Sequence, residues 1–256
     1  MHPLVVLAMQ AGLLMVPQLC RHFDVRKRRQ SVSTPRVLHS EASSAPRAPT
    51  HFIALPLGET AVQERMLAVQ QKLTEHNERL SAACLPLETA HITLSVVNAG
   101  CGNSQRGQVE LATNAVRCAL LACQSTDGVP QPKISHISSF GSNVLFFGLE
   151  QDDEYQKLVR LANRTRAELV DAGFKEPIEK PFFPHITIAK LSRLKASTKR
   201  KRKCSRFQPI KQLPIDGSIG KLDEAIPLRP RRVDICKLAP RNADGWYQTE
   251  HSSYLY

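Results

Sequence analysis

The sequence predicts an α+β fold arranged as two lobes around one groove, and three observations carry that expectation. Hydrophobic patterning runs strand, helix, strand, helix, strand, strand, helix, strand and then further strands, which is not the regular alternation of a doubly wound sheet. The segment His91-Ile92-Thr93-Leu94 returns as His185-Ile186-Thr187-Ile188, 94 residues later (185 − 91). Each copy follows a strand and a long helix, so the two halves of the chain look like rough duplicates.

The elements follow from composition and spacing. His51-Phe-Ile-Ala-Leu-Pro56 reads as the first strand. A helix follows, with Val62, Met66, Val69 and Leu73 on one stripe, Leu80 rejoining it, and Glu64, Gln71, Glu75 and Glu78 on the far side. The first His-x-Thr strand spans Ala90–Val97 and is ended by Asn98-Ala-Gly100. A second helix covers Gln105–Cys123. Strands at Ile134–Phe140 and Asn143–Leu149 are separated by Gly141-Ser142, which is hairpin chemistry. The third helix starts at a cap on Asp152 or Asp153 and ends just before Gly173. His185–Leu191 is the second His-x-Thr strand, and Arg232–Leu238 and Trp246–Leu255 close the chain.

A chain of 256 residues accommodates one domain of about 200 residues with extensions. Residues 50–256 are assigned to that domain, with a polar, basic loop inserted at about 195–220. Residues 1–49 read as a targeting or disordered segment and linker. Net charge is +12, which suits polyanionic partners, yet much of it lies in Arg21–Arg36 and Lys199–Lys203, outside the periodic segments. The basic loop is thus a candidate nucleic-acid contact or a solvated surface. Leu4–Leu19 contains Gln10, Pro17 and Gln18 and is short for a membrane span, so none is expected. Seven cysteines with no C-x-x-C pair read as reduced thiols, which implies an intracellular protein of cytoplasm or nucleus. The Arg- and Ser-rich start, with only Asp24 and Glu41 as acids before residue 50, keeps a mitochondrial transit peptide as the alternative.

In a strand, residues i and i+2 share a face, so each repeat presents one imidazole and one hydroxyl together and turns its aliphatic pair the other way. Two imidazoles facing one another can stand one neutral and one protonated near neutral pH. One takes a proton from an attacking hydroxyl, the other gives a proton to the leaving oxygen, and the hydroxyls bind phosphate oxygens. His91 and His185 are therefore the catalytic candidates, and Thr93 and Thr187 the phosphate ligands. No acidic cluster for a divalent metal accompanies them, and no third ligand supports zinc; neither metal nor cofactor is expected. Ser95, four residues after His91, is placed on the same face, whereas Lys190, at odd offset from His185, is expected to face away unless the strand has ended there. Phe140 either stacks on a nucleobase or packs in the core.

The repeated motif resembles the signature of the two-histidine phosphoesterase superfamily. His51-Phe-Ile-Ala-Leu-Pro, Ile137-Ser-Ser-Phe-Gly-Ser, Leu161-Ala-Asn-Arg-Thr, Pro184-His-Ile-Thr-Ile-Ala-Lys-Leu-Ser and Val233-Asp-Ile-Cys resemble the branch found as the central domain of A-kinase anchoring proteins. The likeness implies a bilobal fold, two antiparallel-rich sheets around a central groove with helices outside. It also implies metal-independent phosphodiester chemistry on 2′-linked or 2′,3′-cyclic nucleotide bonds, with nucleotides, short RNA or oligoadenylates as ligands. A monomer is expected. The alternative is a nucleotide- or RNA-binding adaptor without turnover. Anchoring-type members carry a further amphipathic helix for the regulatory subunit of protein kinase A. The sequence reaches Tyr254-Leu-Tyr256 without one, so that partner is not expected.

Overall fold

The computed structural model describes residues 48–100, 102–141, 143–175, 181–197, 221–242 and 245–255. The expected leader at 1–49 lies outside the described residues apart from its last two, and so does most of the basic insert. The described chain begins with β1 (His51–Pro56), α1 (Thr60–His76), β2 (His91–Val97) and α2 (Asn103–Gln124). The hairpin β3 (Lys133–Phe140) and β4 (Val144–Leu149) leads to α3 (Asp153–Asp171) and β5 (His185–Lys190). A short helix α4 (Ser192–Ser197) precedes β6 (Lys221–Pro227), β7 (Arg232–Arg241) and β8 (Tyr247–Tyr254).

The strands form one eight-stranded sheet in the order β6-β3-β4-β5-β2-β1-β7-β8, with every described pairing antiparallel. β2 and β5 touch through a single register pair, Ile92 with Ile186, so the sheet is two four-stranded halves joined at its centre. Those halves are the two lobes.

One face of this sheet carries the core. Ile53, Leu55, Ile92, Leu94, Ile186 and Ile188 are all 0% exposed and pack with Met66 and Leu73 of α1, Val116 and Leu120 of α2, and Leu158 and Leu161 of α3. Each such side chain contributes roughly 1.5–3 kcal/mol by leaving water, which is what pins the strands' faces. α3 is started as its sequence specifies: Asp152 accepts a hydrogen bond from the Tyr155 amide at 3.0 Å. The opposite face carries a smaller apolar cluster of Phe52, Ala54, Cys236 and Trp246.

Two expectations need correction. Leu80 does not lie on α1, which stops at His76; it is buried instead from a separate 3₁₀ turn at Glu78–Ala83. β6 was not foreseen. Its sequence, Lys-Leu-Asp-Glu-Ala-Ile-Pro, alternates poorly and pairs only with β3 at the sheet's edge, where charge and a terminal proline are tolerated.

Candidate active site

The pairing of Ile92 with Ile186 decides the geometry of the motif residues. Carried one residue to either side, it sets His91 opposite Thr187 and Thr93 opposite His185. Ile92 and Ile186 point into the core, so these side chains share the bare face. Directly opposed residues have Cβ atoms about 5 Å apart and diagonal ones about 7–8 Å, so the two imidazoles stand as diagonal neighbours on that face. All four side chains are partly buried.

Both rings are oriented by the same device. His91 Nδ1 lies 2.6 Å from the carbonyl of Thr89, and His185 Nδ1 lies 2.9 Å from the carbonyl of Phe183. A carbonyl only accepts, so Nδ1 carries the proton in each ring, and in the neutral ring Nε2 holds the lone pair. Burial pushes the His185 imidazole below its ordinary value; the Phe183 carbonyl opposes this and the Lys190 ammonium adds to it.

Immediately after each motif the strand carries a β-bulge at the same place. Ala54 pairs with Thr93 but Ile53 pairs with Ser95, so Leu94 is the extra residue. Phe146 pairs with Thr187 but Leu145 pairs with Ala189, so Ile188 is the extra residue in the other lobe. The bulge carbonyls are both held by helix side chains: Arg166 Nε of α3 donates to Leu94 at 3.2 Å, and Gln70 Nε2 of α1 donates to Ile188 at 3.2 Å. Because two residues then oppose one, alternation resets beyond this point.

That reset corrects two expectations. Ser95 does not share the histidine face; it pairs with core-facing Ile53, is 3% exposed, and its Oγ has no partner among the described residues. Lys190 does share that face, since it pairs with Val144, two residues from groove-lining Phe146. Phe140 is 40% exposed rather than core-packed. It stacks on Phe146 at 4.2 Å and meets the His185 ring edge-on at 4.8 Å, lining the groove.

Sequence reasoning missed other residues here. Phe52, Tyr247 and Trp246 surround His91 with ring centroids at 5.2, 5.7 and 6.0 Å. His136 pairs with Gly148, which pairs with His185, so a third imidazole lies on this face one strand beyond Gly148. A Cβ on Gly148 would collide with the His136 ring. Asp234 is completely buried below the groove, accepting from Ser252 Oγ at 2.7 Å and from Arg232 Nε. Among the described residues no group of three or more His, Cys, Asp or Glu converges as metal ligands. Cys84, Cys118, Cys123 and Cys236 are free thiols. No helix among the described residues is long and apolar enough to cross a membrane.

Residues 49–255 match the family model of the AKAP7 2'5' RNA ligase-like domain. A-kinase anchor protein 7 isoform gamma of Homo sapiens is 24% identical over 211 residues, covering 80% of this chain and 56% of the relative. The chain thus spans little more than half the length of that curated relative. Among solved structures, E. coli LigT complexed with 3'-AMP superposes with a TM-score of 0.49 at 14% identity, over 81% of this chain and 98% of that one. TT0787 of Thermus thermophilus superposes with a TM-score of 0.48 at 17% identity, over 80% and 97%. The chain belongs to the AKAP7 2'5' RNA ligase-like domain family, within the two-histidine phosphoesterase superfamily.

Proposed function

We propose that the groove is the active site of a phosphodiesterase that cleaves 2′-linked or 2′,3′-cyclic nucleotide bonds without a metal. The observation that carries this is the register of β2 on β5, which aligns His91, Thr187, Thr93 and His185 on one face. In the reaction, an attacking hydroxyl forms the new bond to phosphorus and loses its proton to one Nε2. The bond to the leaving oxygen breaks as the other Nε2 protonates it. Thr93 and Thr187 donate their hydroxyl protons to the non-bridging oxygens, where negative charge gathers. Burial and Lys190 both lower the His185 pKa, which suits that imidazole to the base's role, with His91 then the acid. Phe140 offers its exposed face to a nucleobase. The family's 2'5' RNA ligase-like description supports a 2′-linked substrate.

A nucleotide-binding adaptor without turnover is the second reading, favoured by the similarity to an A-kinase anchor protein. Incubating the full chain with 2′,5′-linked diadenosine monophosphate, with and without EDTA, separates the two. Cleavage that EDTA does not diminish is the expected result. Saturable binding of adenosine monophosphate with no cleavage of 2′,5′-, 3′,5′- or 2′,3′-cyclic substrates would instead establish the adaptor.

A further inference from the structure

Beside His91 lies a cavity of about 640 Å³, within the range of small-ligand pockets, and none of the motif residues lines it. Pro56, the direct cross-strand partner of His91, lines it. Its lining residues include Arg229, Arg231, Arg232, Trp246, Glu59 and Glu88.

The charges are not equivalent. Arg232 is committed to buried Asp234. Glu59 Oε1 accepts the Arg229 amide at 2.7 Å, while its Oε2 is buried with no partner among the described residues. A buried acceptor without a donor is costly, and a ligand bearing a hydroxyl or amine would relieve it. The lining residues therefore offer two further arginines for an anion, a tryptophan for an apolar ring and a carboxylate oxygen awaiting a donor. A nucleotide carries all three complements.

Position sets the cavity to one side of the histidine pair. The β1–β7 register, carried on from Ala54 opposite Asp234, sets Arg232 across from Pro56, two strands from His91. Two strand spacings are about 10 Å, room for a nucleotide's own phosphate beside the one between the imidazoles.

We propose that this cavity binds the nucleotide flanking the scissile bond on the His91 side, with Arg229 and Arg231 on that nucleotide's own phosphate. The assignment rests on the groove being the cleavage site. It makes the substrate an end-phosphorylated or longer oligonucleotide rather than a lone cyclic mononucleotide.

The test uses 2′,5′-linked diadenosine monophosphate, plain or carrying a terminal phosphate at its 5′ or its 2′ end. Affinity by calorimetry and turnover are measured for the full chain and for the R229Q/R231Q variant. Both substitutions leave intact the backbone bonds of these residues to Glu59 and Leu255. At least one end-phosphorylated form should bind the wild type about tenfold more tightly than the plain dinucleotide, the scale of one charged hydrogen-bonded contact. That ratio should fall close to one in the variant. Equal affinity of the wild type for all three compounds, or a ratio that survives the double substitution, overturns the proposal. A tenfold binding preference that disappears in R229Q/R231Q, in a protein that cleaves nothing, supports the cavity and refutes the catalytic reading alone.

Discussion

The lobe that carries His91 and the lobe that carries His185 share a backbone plan but hold their imidazoles in different surroundings. In both, the ring donates Nδ1–H to the carbonyl two residues back, and a bulge follows the threonine by one residue. In both, the bulge carbonyl is tied to a helix, by Arg166 in one lobe and Gln70 in the other. Beyond that plan the equivalents diverge. Five residues after the histidine stands Val96 in one lobe and Lys190 in the other. His91 is enclosed by Phe52, Trp246 and Tyr247, next to an arginine-lined cavity. His185 sits among phenyl rings, Phe140 at 4.8 Å and Phe146 at 5.3 Å. One backbone arrangement delivers two equivalent nitrogens, and different side chains surround them.

Four sets of variants break or sharpen that comparison. The largest effect belongs to the histidines: His91→Ala and His185→Ala should each lower turnover of a 2′,5′-linked dinucleotide by about a hundred- to ten-thousand-fold. Loss in only one of them would mean that the lobes do not act as a pair. Next come the hydroxyls. Thr93→Val and Thr187→Val should cost about a hundredfold or more in kcat, by nearly equal amounts, as oxyanion donors do. A pure KM effect would show ground-state binding instead.

Lys190→Met addresses the asymmetry itself. The ammonium lowers the His185 pKa, so its removal should raise that pKa and move the acidic limb of the kcat/KM profile to higher pH. The shift should be modest, because burial is the larger cause and remains. An unmoved acidic limb would assign the base to His91. The smallest effect is expected at Gly148→Ala. The added Cβ displaces the exposed His136 ring, costing about 1 kcal/mol in chemical denaturation, and the cost should vanish in a His136→Ala background.

What was legible in the chain is what strand periodicity controls. His91 with Thr93 and His185 with Thr187 were readable as pairs because Ile92 and Ile186 had to be buried between them. The bulges were not readable. An inserted residue such as Leu94 or Ile188 looks like any core aliphatic, and only the partner strand shows that two residues oppose one. Ser95 and Lys190 fall on faces opposite to those expected for that reason. His136 was missed because its place depends on a glycine across the strand, and the cavity because Arg229–Arg232 reads as a polar turn. β6 was hidden by its charges and its edge position. Local alternation finds a strand's face until pairing changes the count.

The most direct test of the account is a crystal structure of the protein with a nucleoside monophosphate bound. The account predicts one phosphoryl group with Nε2 of His91 and of His185 on its oxygens, and Oγ1 of Thr93 and of Thr187 beside them. A phosphate held by one lobe alone, with the other imidazole turned away, would contradict it.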